Sequence, residues 1–275
     1  MDFAIGIVLY NGEKDKIKRI ISEYSLNNIS IIIVDNGSKN IEDIKDVIEK
    51  NNNVIFIRNH NNEGIAKALN QILNETQKIQ KRYLLTLDQD SFLEYKDLLK
   101  MKEFIKDDVA IVCPEIIDLN KKNNKLLTKD YIEVSRCITS GSLMNMKICN
   151  EIGNFDEKMF IDYVDFDYCK RIIINKYKII KVKGCFLKHE IGKRTCKKFL
   201  WLNVYPTNHA SNRVYYYFRN MHYYFLKYKK NMTINEKLNE IIRIIWKYIS
   251  IVLYEDNKKE KLNKARKGFK DAKNM

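Results

Sequence analysis

The chain has 275 residues and 45% hydrophobic content, enough for one substantial core or one core with an appended subdomain. Its formal net charge of +15 favours anionic partners: nucleic acid, an acidic membrane surface or a phosphate-bearing substrate. The 6 Cys form no Cys-x-x-Cys pair, which argues against a zinc knuckle or a thioredoxin-type motif.

Apolar runs alternate with helical patterns through the first half. Phe3 to Leu9 reads as a buried strand closed by a turn at Asn11-Gly12, and Asp15 to Tyr24 has helical spacing. Ile29 to Val34 is a second, β-branched strand, followed by the sharp turn Asp35-Asn36-Gly37-Ser38 and a helix over Ile41 to Lys50. Val54 to Arg58 is a third strand, Asn59 to Gly64 a polar loop and Ile65 to Lys78 a helix. Tyr83 to Leu87 is a fourth strand and runs into Asp88-Gln89-Asp90. Strand–helix alternation with fully apolar strands predicts an α/β fold, a mostly parallel sheet with helices on both faces. Ligands of such sheets bind beyond the carboxyl ends of the strands. The turns Tyr10-Asn11, Asp35–Ser38 and Asp88–Asp90 therefore fall on one rim. In extended backbone the i, i+2 spacing aims Asp88 and Asp90 the same way, which suits a divalent cation that also holds phosphate oxygens.

The second half is less regular. Val109 to Pro114 and Ile116 to Leu119 read as strands, and Lys121 to Lys125 as a polar loop. Thr139-Ser140-Gly141-Ser142 is a small-residue turn that lets backbone approach a ligand. Met159 to Ile174 is an amphipathic segment with acids at Asp162, Asp165 and Asp167. If it is helical from about Asp162, then Asp162 and Asp165 share a face; the cluster serves either a general base or a helix N-terminus. Tyr177 to Val182 and Cys185 to His189 are strands, with His189 a candidate metal ligand or phosphate contact. His60, His209 and His222 have no such setting and are read as structural; Cys113, Cys169 and Cys185 are read as buried thiols, as in a reducing compartment. From Trp201 the chain turns aromatic and basic. Ile241 to Leu253 is an apolar helix flanked by Lys and Arg, and the last residues are charged. The start lacks the basic region of a signal peptide, and no stretch reaches the roughly 18 apolar residues of a membrane span. The expectation is a cytoplasmic protein, soluble or peripheral.

In order, the chain carries Val8-Leu9-Tyr10-Asn11, Val34-Asp35-Asn36-Gly37-Ser38, Asn61-Asn62-Glu63-Gly64-Ile65-Ala66 and Leu85-Thr86-Leu87-Asp88-Gln89-Asp90-Ser91. Then come Thr139–Leu143, Gly153-Asn154-Phe155-Asp156-Glu157, Phe160-Ile161-Asp162-Tyr163-Val164-Asp165, Leu187–Gly192 and Tyr216-Tyr217-Phe218-Arg219-Asn220. Together these resemble glycosyltransferase family 2 with the GT-A fold, and most closely its rhamnosyltransferase-like branch, over roughly residues 3–228. The resemblance implies a GT-A catalytic domain over 1–200 and a C-terminal aromatic, basic helical extension over 201–275, packed on that domain or on a membrane surface. It also implies nucleotide-sugar binding by Tyr10, Asn11, Asp35, Asn36, Gly64, Asp88, Gln89 and Gly141. Asp90, with Asp88 and His189, would hold Mg2+ or Mn2+ against the donor diphosphate. Asp165 sits where the family keeps its catalytic base. Relatives mostly have Glu-Asp there, whereas Val164 precedes Asp165 here, which leaves Asp162 and Asp167 as alternatives or acceptor neighbours.

The implied reaction is inverting transfer of a sugar, L-rhamnose from dTDP-rhamnose or a hexose from a UDP-sugar, to a glycan acceptor of cell-surface polysaccharide synthesis. An acceptor on a polyprenyl diphosphate would bring the enzyme to the inner face of the cell membrane, with the C-terminal aromatics and cations as its contact. Two rival classes are weaker. A nucleotidyltransferase needs a Gly-rich, cationic loop after the first strand, and Tyr10-Asn11-Gly12-Glu13 is poor for that. A nucleic-acid binder explains the charge and the aromatics but not three acid-bearing turns on one rim, so no nucleic-acid partner is expected.

Overall fold

The β-branched runs near the amino terminus form the centre of one sheet. The computed structural model of the chain describes residues 2–118, 126–189, 197–199, 202–204 and 206–275. Strands β1 (Phe3–Leu9), β2 (Ser30–Asn36), β3 (Val54–Asn59) and β4 (Tyr83–Asp88) are mutually parallel in the order β3-β2-β1-β4. They are linked by α1 (Lys14–Ser25), α2 (Glu42–Glu49) and α3 (Ile65–Lys78). Ile5, Ile7, Ile31 and Ile33 have no exposed surface, as expected where helices cover both faces of a parallel sheet.

Beyond β4 the sheet becomes mixed. The remaining strands are β5 (Ser91–Phe92), β6 (Val109–Asp118), β7 (Tyr131–Glu133), β8 (Ser142–Asn145) and β9 (Lys178–His189). Helix α4 (Tyr95–Lys102) follows β5, and α5 (Met146–Ile152) and α6 (Val164–Ile174) lie between β8 and β9. The order continues β4-β8-β6-β9-β5, with β8 antiparallel to both β4 and β6, and β7 paired to β9. Two expected breaks are not breaks. The strand pair expected on either side of Glu115 is the single strand β6, and the pair on either side of Gly184 is the single strand β9. Their register shifts between Cys113 and Glu115, at Pro114, which has no N–H to give to a ladder. Opposite, Gly184 adopts φ +69°, and its N–H donates to the Glu115 carboxylate at 2.8 Å in place of a ladder bond. The expected loop Lys121–Lys125 lies outside the described residues.

The chain divides into two compact units, Met1–Glu157 with Asp165–Glu190, and Lys158–Val164 with Ile191–Met275. The second unit holds the hairpin β10 (Lys197–Phe199) and β11 (Leu202–Val204) and the helices α7 (Ser211–Tyr228), α8 (Ile234–Tyr254) and α9 (Lys258–Asp271). Thr233 and Glu236 close a capping box at the start of α8. Gly268 lets α9 meet α7, since a Cβ there would lie 2.4 Å from the Tyr215 carbonyl oxygen. Glu255 is buried between Lys247 at 2.9 Å and Lys261 at 3.1 Å. Segment Lys158–Val164 is held within this unit. The Asn220 amide donates to the carbonyls of Ile161 and Asp162 at 2.7 and 3.1 Å, and Arg219 donates to that of Lys158 at 2.6 Å. These bonds hold Asp162 and Tyr163 at φ +65° and +67°, so helix α6 begins only at Val164 and not at Asp162. The shared helix face expected for Asp162 and Asp165 therefore does not form.

Candidate functional site

The carboxyl ends of β1, β2 and β4 carry the residues singled out from the sequence. Asp35 pairs in register with Leu9, and Asp88 with Val8, so the two acids flank β1 at two strand spacings, roughly 10 Å along the sheet. The turn after β1 lies between them. Gln89 braces it: its carbonyl accepts the Tyr10 N–H at 2.8 Å and its amide donates to the Tyr10 carbonyl at 3.1 Å. The Asn11 N–H donates to the Ser38 hydroxyl at 2.8 Å, and the Asn11 carbonyl oxygen of the side chain accepts the Lys39 N–H at 2.9 Å. Tyr10 is left 44% exposed, with its ring at the rim.

Asp35 is fully buried at the end of β2. One carboxylate oxygen, Oδ1, caps the turn by accepting the Ser38 N–H at 3.1 Å. The other, Oδ2, has no hydrogen-bond partner, and its nearest cation is Arg58 Nε at 3.9 Å. A buried carboxylate oxygen left without a donor is costly, on the order of 1–3 kcal/mol, and such orphans point to a missing ligand donor. Arg58 is half-exposed and also pairs with Glu42 at 3.3 Å, so it is a displaceable cover.

Asn36 and Gly64, both expected at the nucleotide, have a visible bracing role. The buried Asn36 amide donates to Asn62 at 3.1 Å and to the Gly64 carbonyl at 3.2 Å, and its oxygen accepts from Asn59 and from the Glu63 N–H at 3.2 and 3.0 Å. Gly64 in turn donates to Asn62 at 3.0 Å. Loop Asn59–Gly64 is thus strapped to the end of β2. Gly37, at φ +82°, lies against it so closely that a Cβ would sit 2.5 Å from the Asn61 carbonyl carbon. Asn59 and Gln71 complete this network with paired side-chain bonds, a role no local pattern announced.

The Thr139–Ser142 turn is fastened to β4. The Asp88 N–H donates to the Ser140 hydroxyl at 3.0 Å, the Gly141 N–H to the Thr86 carbonyl at 2.7 Å, and the Thr86 hydroxyl to the Thr139 carbonyl at 2.5 Å. Gly141, at φ +79°, fits where a Cβ would lie 3.0 Å from Pro114. Asp90 ends the turn after β4, and the next residue, Ser91, pairs in register with His189. Asp88 and Asp90 offer hard carboxylate oxygens, and the backbone register brings His189 to the same strand end; that donor set fits a divalent cation whose other ligands are diphosphate oxygens. Among the described residues no group of three His, Cys, Asp or Glu side chains forms a metal cage, and the His189 side chain lies outside them.

Asp165 stands in the first turn of α6, where negative charge complements the helix dipole. Its Oδ1 accepts the Phe166 N–H at 2.9 Å. It lines a small cavity of about 10 Å³, the room of one water, with Thr139, Ser142, Phe155, Tyr168 and Cys169. Ser140 thereby links the two halves of the site: its hydroxyl holds Asp88, while the flanking Thr139 and Ser142 face Asp165. The alternatives to Asp165 are placed differently. Asp167 is fully buried and accepts from Arg171 at 3.1 Å, while Arg171 also donates to the carbonyls of Ile152 and Asn154. Asp162, in the second unit, is gripped by both guanidinium arms of Arg213 at 3.1 and 3.3 Å. His222 stacks on Phe269 at 3.7 Å and bonds its carbonyl at 2.8 Å. Cys113, Cys169 and Cys185 are buried free thiols, as expected.

Comparison with known proteins bears on this arrangement. The chain is similar to the dTDP-rhamnosyl transferase RfbF of Shigella flexneri, 26% identical over 94% of this chain and 90% of the relative. It is also similar to the uncharacterized glycosyltransferase MJ1057 of Methanocaldococcus jannaschii, 24% identical over 66% of each. Among solved structures it resembles S. aureus TarS 1-349, with a TM-score of 0.66 and 13% identity over 99% of this chain and 81% of that one. It further resembles GalNAc-T7, solved with UDP, GalNAc and Mn2+, with a TM-score of 0.60 and 14% identity over 82% of this chain and 47% of that one. These likenesses show the GT-A fold. The pattern of Glycosyl transferase family 2 matches residues 4–162, more than half of the chain and nearly all of the rim described above. The chain belongs to glycosyl transferase family 2 and is a glycosyltransferase.

Proposed function

We propose that the protein transfers L-rhamnose from dTDP-L-rhamnose to a glycan acceptor with inversion at the anomeric carbon. The observation that carries this reading is the line from the orphaned Asp35 oxygen, past Asp88 and Ser140, to the cavity of Asp165. The donor is supported by the likeness to the dTDP-rhamnosyl transferase of Shigella flexneri, which runs along nearly the whole chain. In this reading Asp35 Oδ2 accepts the N–H of the nucleobase, with Tyr10 and Asn11 beside the base and ribose. Asn36, Gly37 and Gly64 hold the loop that frames it, Gln89 fixes the turn of Tyr10, and Gly141 lets backbone approach the donor. Asp88 and Asp90, with His189, hold Mg2+ or Mn2+. When bound, that cation neutralises charge on the departing nucleoside diphosphate.

Asp165 takes the proton of the acceptor hydroxyl as it attacks from the face opposite the leaving group, and one such displacement inverts the configuration. Asp167, tied to Arg171, positions the helix that presents Asp165. Catalysis belongs in this reading to residues 1–200, with 201–275 as an aromatic, basic helical extension. No helix among the described residues is long and apolar enough to cross a membrane. Helix α8 does expose Ile234, Leu238, Ile241, Ile242, Ile245 and Val252 along one side, as an interfacial helix does. We place the enzyme at the inner face of the cell membrane on a polyprenyl-diphosphate-linked acceptor, with this stripe on the bilayer.

A UDP-hexose donor is the second reading, favoured by the fold likeness to S. aureus TarS 1-349 in complex with UDP-GlcNAc, TM-score 0.58. Incubation with a panel of nucleotide sugars, scored by nucleoside diphosphate released in the presence of glycan acceptor, separates the two. Release from dTDP-rhamnose alone upholds the first reading. Release from a UDP-hexose instead overturns it. Flotation with anionic liposomes tests the membrane contact, which is lost in Ile241→Glu with Ile245→Glu.

A further inference from the structure

Three thiols that the proposed reaction does not use gather beside Asp165. Cys137 Sγ lies 3.7 Å from Cys169 Sγ, and the Cys137 N–H points at the Cys169 sulfur at 3.5 Å. The third, Cys113, is a buried thiol that shares the lining of one cleft with Cys137. The cluster is not a metal centre among the described residues. We propose that Cys137 is a covalent modification site, oxidised by a hydroperoxide and then closed onto Cys169 as a disulfide in the wall of the Asp165 cavity.

Its place between two cavities singles out Cys137. It is the one described cysteine that is not buried; Cys113, Cys149, Cys169 and Cys185 are. It lines the Asp165 cavity and also an adjoining cleft of about 170 Å³ that carries the cations Arg136 and Lys181. A thiol beside cations is the kind whose thiolate is favoured. Donation from Cys113 first, then Cys169, with the Lys181 ammonium nearby, holds the Cys137 thiol well below its ordinary range and leaves Cys113 and Cys169 above theirs. Desolvation pushes Cys149 and Cys185 up to about 12, so both serve as internal controls.

The chemistry balances with a hydroperoxide as the sole co-reactant. The Cys137 thiolate attacks the peroxide oxygen and breaks the O–O bond, giving a sulfenic acid and, for hydrogen peroxide, hydroxide. Cys169 sulfur then attacks the Cys137 sulfur, expelling water as the S–S bond forms and its own proton leaves. Two thiols are oxidised and one peroxide is reduced to two waters. The sulfurs must close from 3.7 Å to the roughly 2.05 Å of a disulfide, a movement within reach of side-chain rotation at the cavity-facing Cys137. Cys169 follows Asp165 by four residues on α6, so both lie on one helix face. The bond narrows the cavity and fixes the helix that carries Asp165.

The linkage can be read without any activity, and only its effect on transfer rests on the proposed reaction. The full-length reduced protein is treated with hydrogen peroxide, blocked, and digested without reductant for mass spectrometry. The expected product is a Cys137–Cys169 peptide pair lighter by two hydrogens and reversed by dithiothreitol. In Cys169→Ser the Cys137 sulfenic acid persists and is trapped by a 1,3-diketone. Native iodoacetamide labelling of the unaltered protein runs at least roughly tenfold faster at Cys137 than at Cys149 or Cys185. Peroxide removes sugar transfer from the unaltered protein, while Cys137→Ala shows the same rate treated and untreated. Labelling no faster at Cys137 than at the controls, or oxidation that leaves Cys137 and Cys169 unlinked, overturns the proposal. Linkage without any measurable transfer before treatment overturns the proposed reaction and leaves the site standing.

Discussion

The orphaned oxygen of Asp35 allows a test in which stability and binding move apart. In Asp35→Asn one side-chain atom must still accept the Ser38 N–H, as Oδ1 does at 3.1 Å. The amide oxygen takes that place, and the NH2 group then occupies the position of Oδ2. A donor thus replaces the acceptor that, in the proposed reading, meets the nucleobase N–H. A hydrogen bond to a charged group contributes about 1.5–3 kcal/mol, so affinity for the nucleoside diphosphate should fall roughly 10- to 150-fold. Folding stability should hold or rise, because the substitution removes a fully buried charge whose nearest cation stands 3.9 Å away. Isothermal titration with dTDP gives the first quantity and urea unfolding of the free protein the second. Using the diphosphate alone keeps the result independent of the donor sugar. An affinity within twofold of the unaltered protein would refute the assignment of Asp35 Oδ2 to the base. A loss of binding matched by a collapse in stability would instead make Asp35 only the cap of its turn.

Asp165→Asn should cut the rate of sugar transfer by roughly 10²–10⁴ with dTDP affinity unchanged; single-turnover transfer near the normal rate would remove Asp165 from the base position. Chelation by EDTA should abolish transfer and added Mn2+ or Mg2+ restore it, and undiminished turnover in EDTA would contradict the cation site of Asp88 and Asp90. Gly37→Ala forces a side chain to φ +82° and a Cβ to 2.5 Å from Asn61 backbone; left-handed strain and overpacking together should cost about 2–5 kcal/mol by urea unfolding. A loss under about 1 kcal/mol would mean that loop Asn59–Gly64 yields easily. Burial, followed by the charges of Arg213 and Lys247, lowers His209 to about 4 from its ordinary 6.5. The unfolded chain therefore binds the extra proton first, so stability is full above about pH 6.5 and falls as pH drops toward 4. His209→Gln should flatten that slope between pH 6.5 and 4.5, and equal slopes would exclude His209 as its source.

Local pattern carried the first half of the fold because each strand there is a buried β-branched run and each turn ends in Asn, Asp or Gly. The rim was legible for the same reason: Tyr10, Asp35 and Asp88 follow directly from where those strands stop. The second half hides its order in long-range bonds. Pro114 and Gly184 read as chain breaks, yet Glu115 reaches across from β6 to the Gly184 N–H and both strands run through. No run of residues announces that Asp162 and Tyr163 take left-handed conformations. Those are held by Asn220, which bonds the Ile161 and Asp162 carbonyls 59 and 58 residues back, and their effect is to move the start of α6.

The same distinction separates what the acids do. Asp162, Asp165 and Asp167 look alike in the sequence, and spacing alone cannot rank them. Packing does so by giving each a different partner. Arg213 takes both oxygens of Asp162, and Arg171 takes Asp167 while also tying down the Ile152 and Asn154 carbonyls. Asp165 lines a small cavity together with Thr139 and Ser142, of the turn that Ser140 fastens to Asp88. A carboxylate gripped by a guanidinium has little reach toward a substrate hydroxyl. The proposed reading puts the base at Asp165, and the side-chain partners of the other two acids are consistent with that choice. Removing the Arg171 tether should therefore impair the reaction through the position of α6. In Arg171→Met transfer should fall while the pH profile set by Asp165 keeps its shape. A shifted profile would show that Asp167, once released, takes up the proton itself.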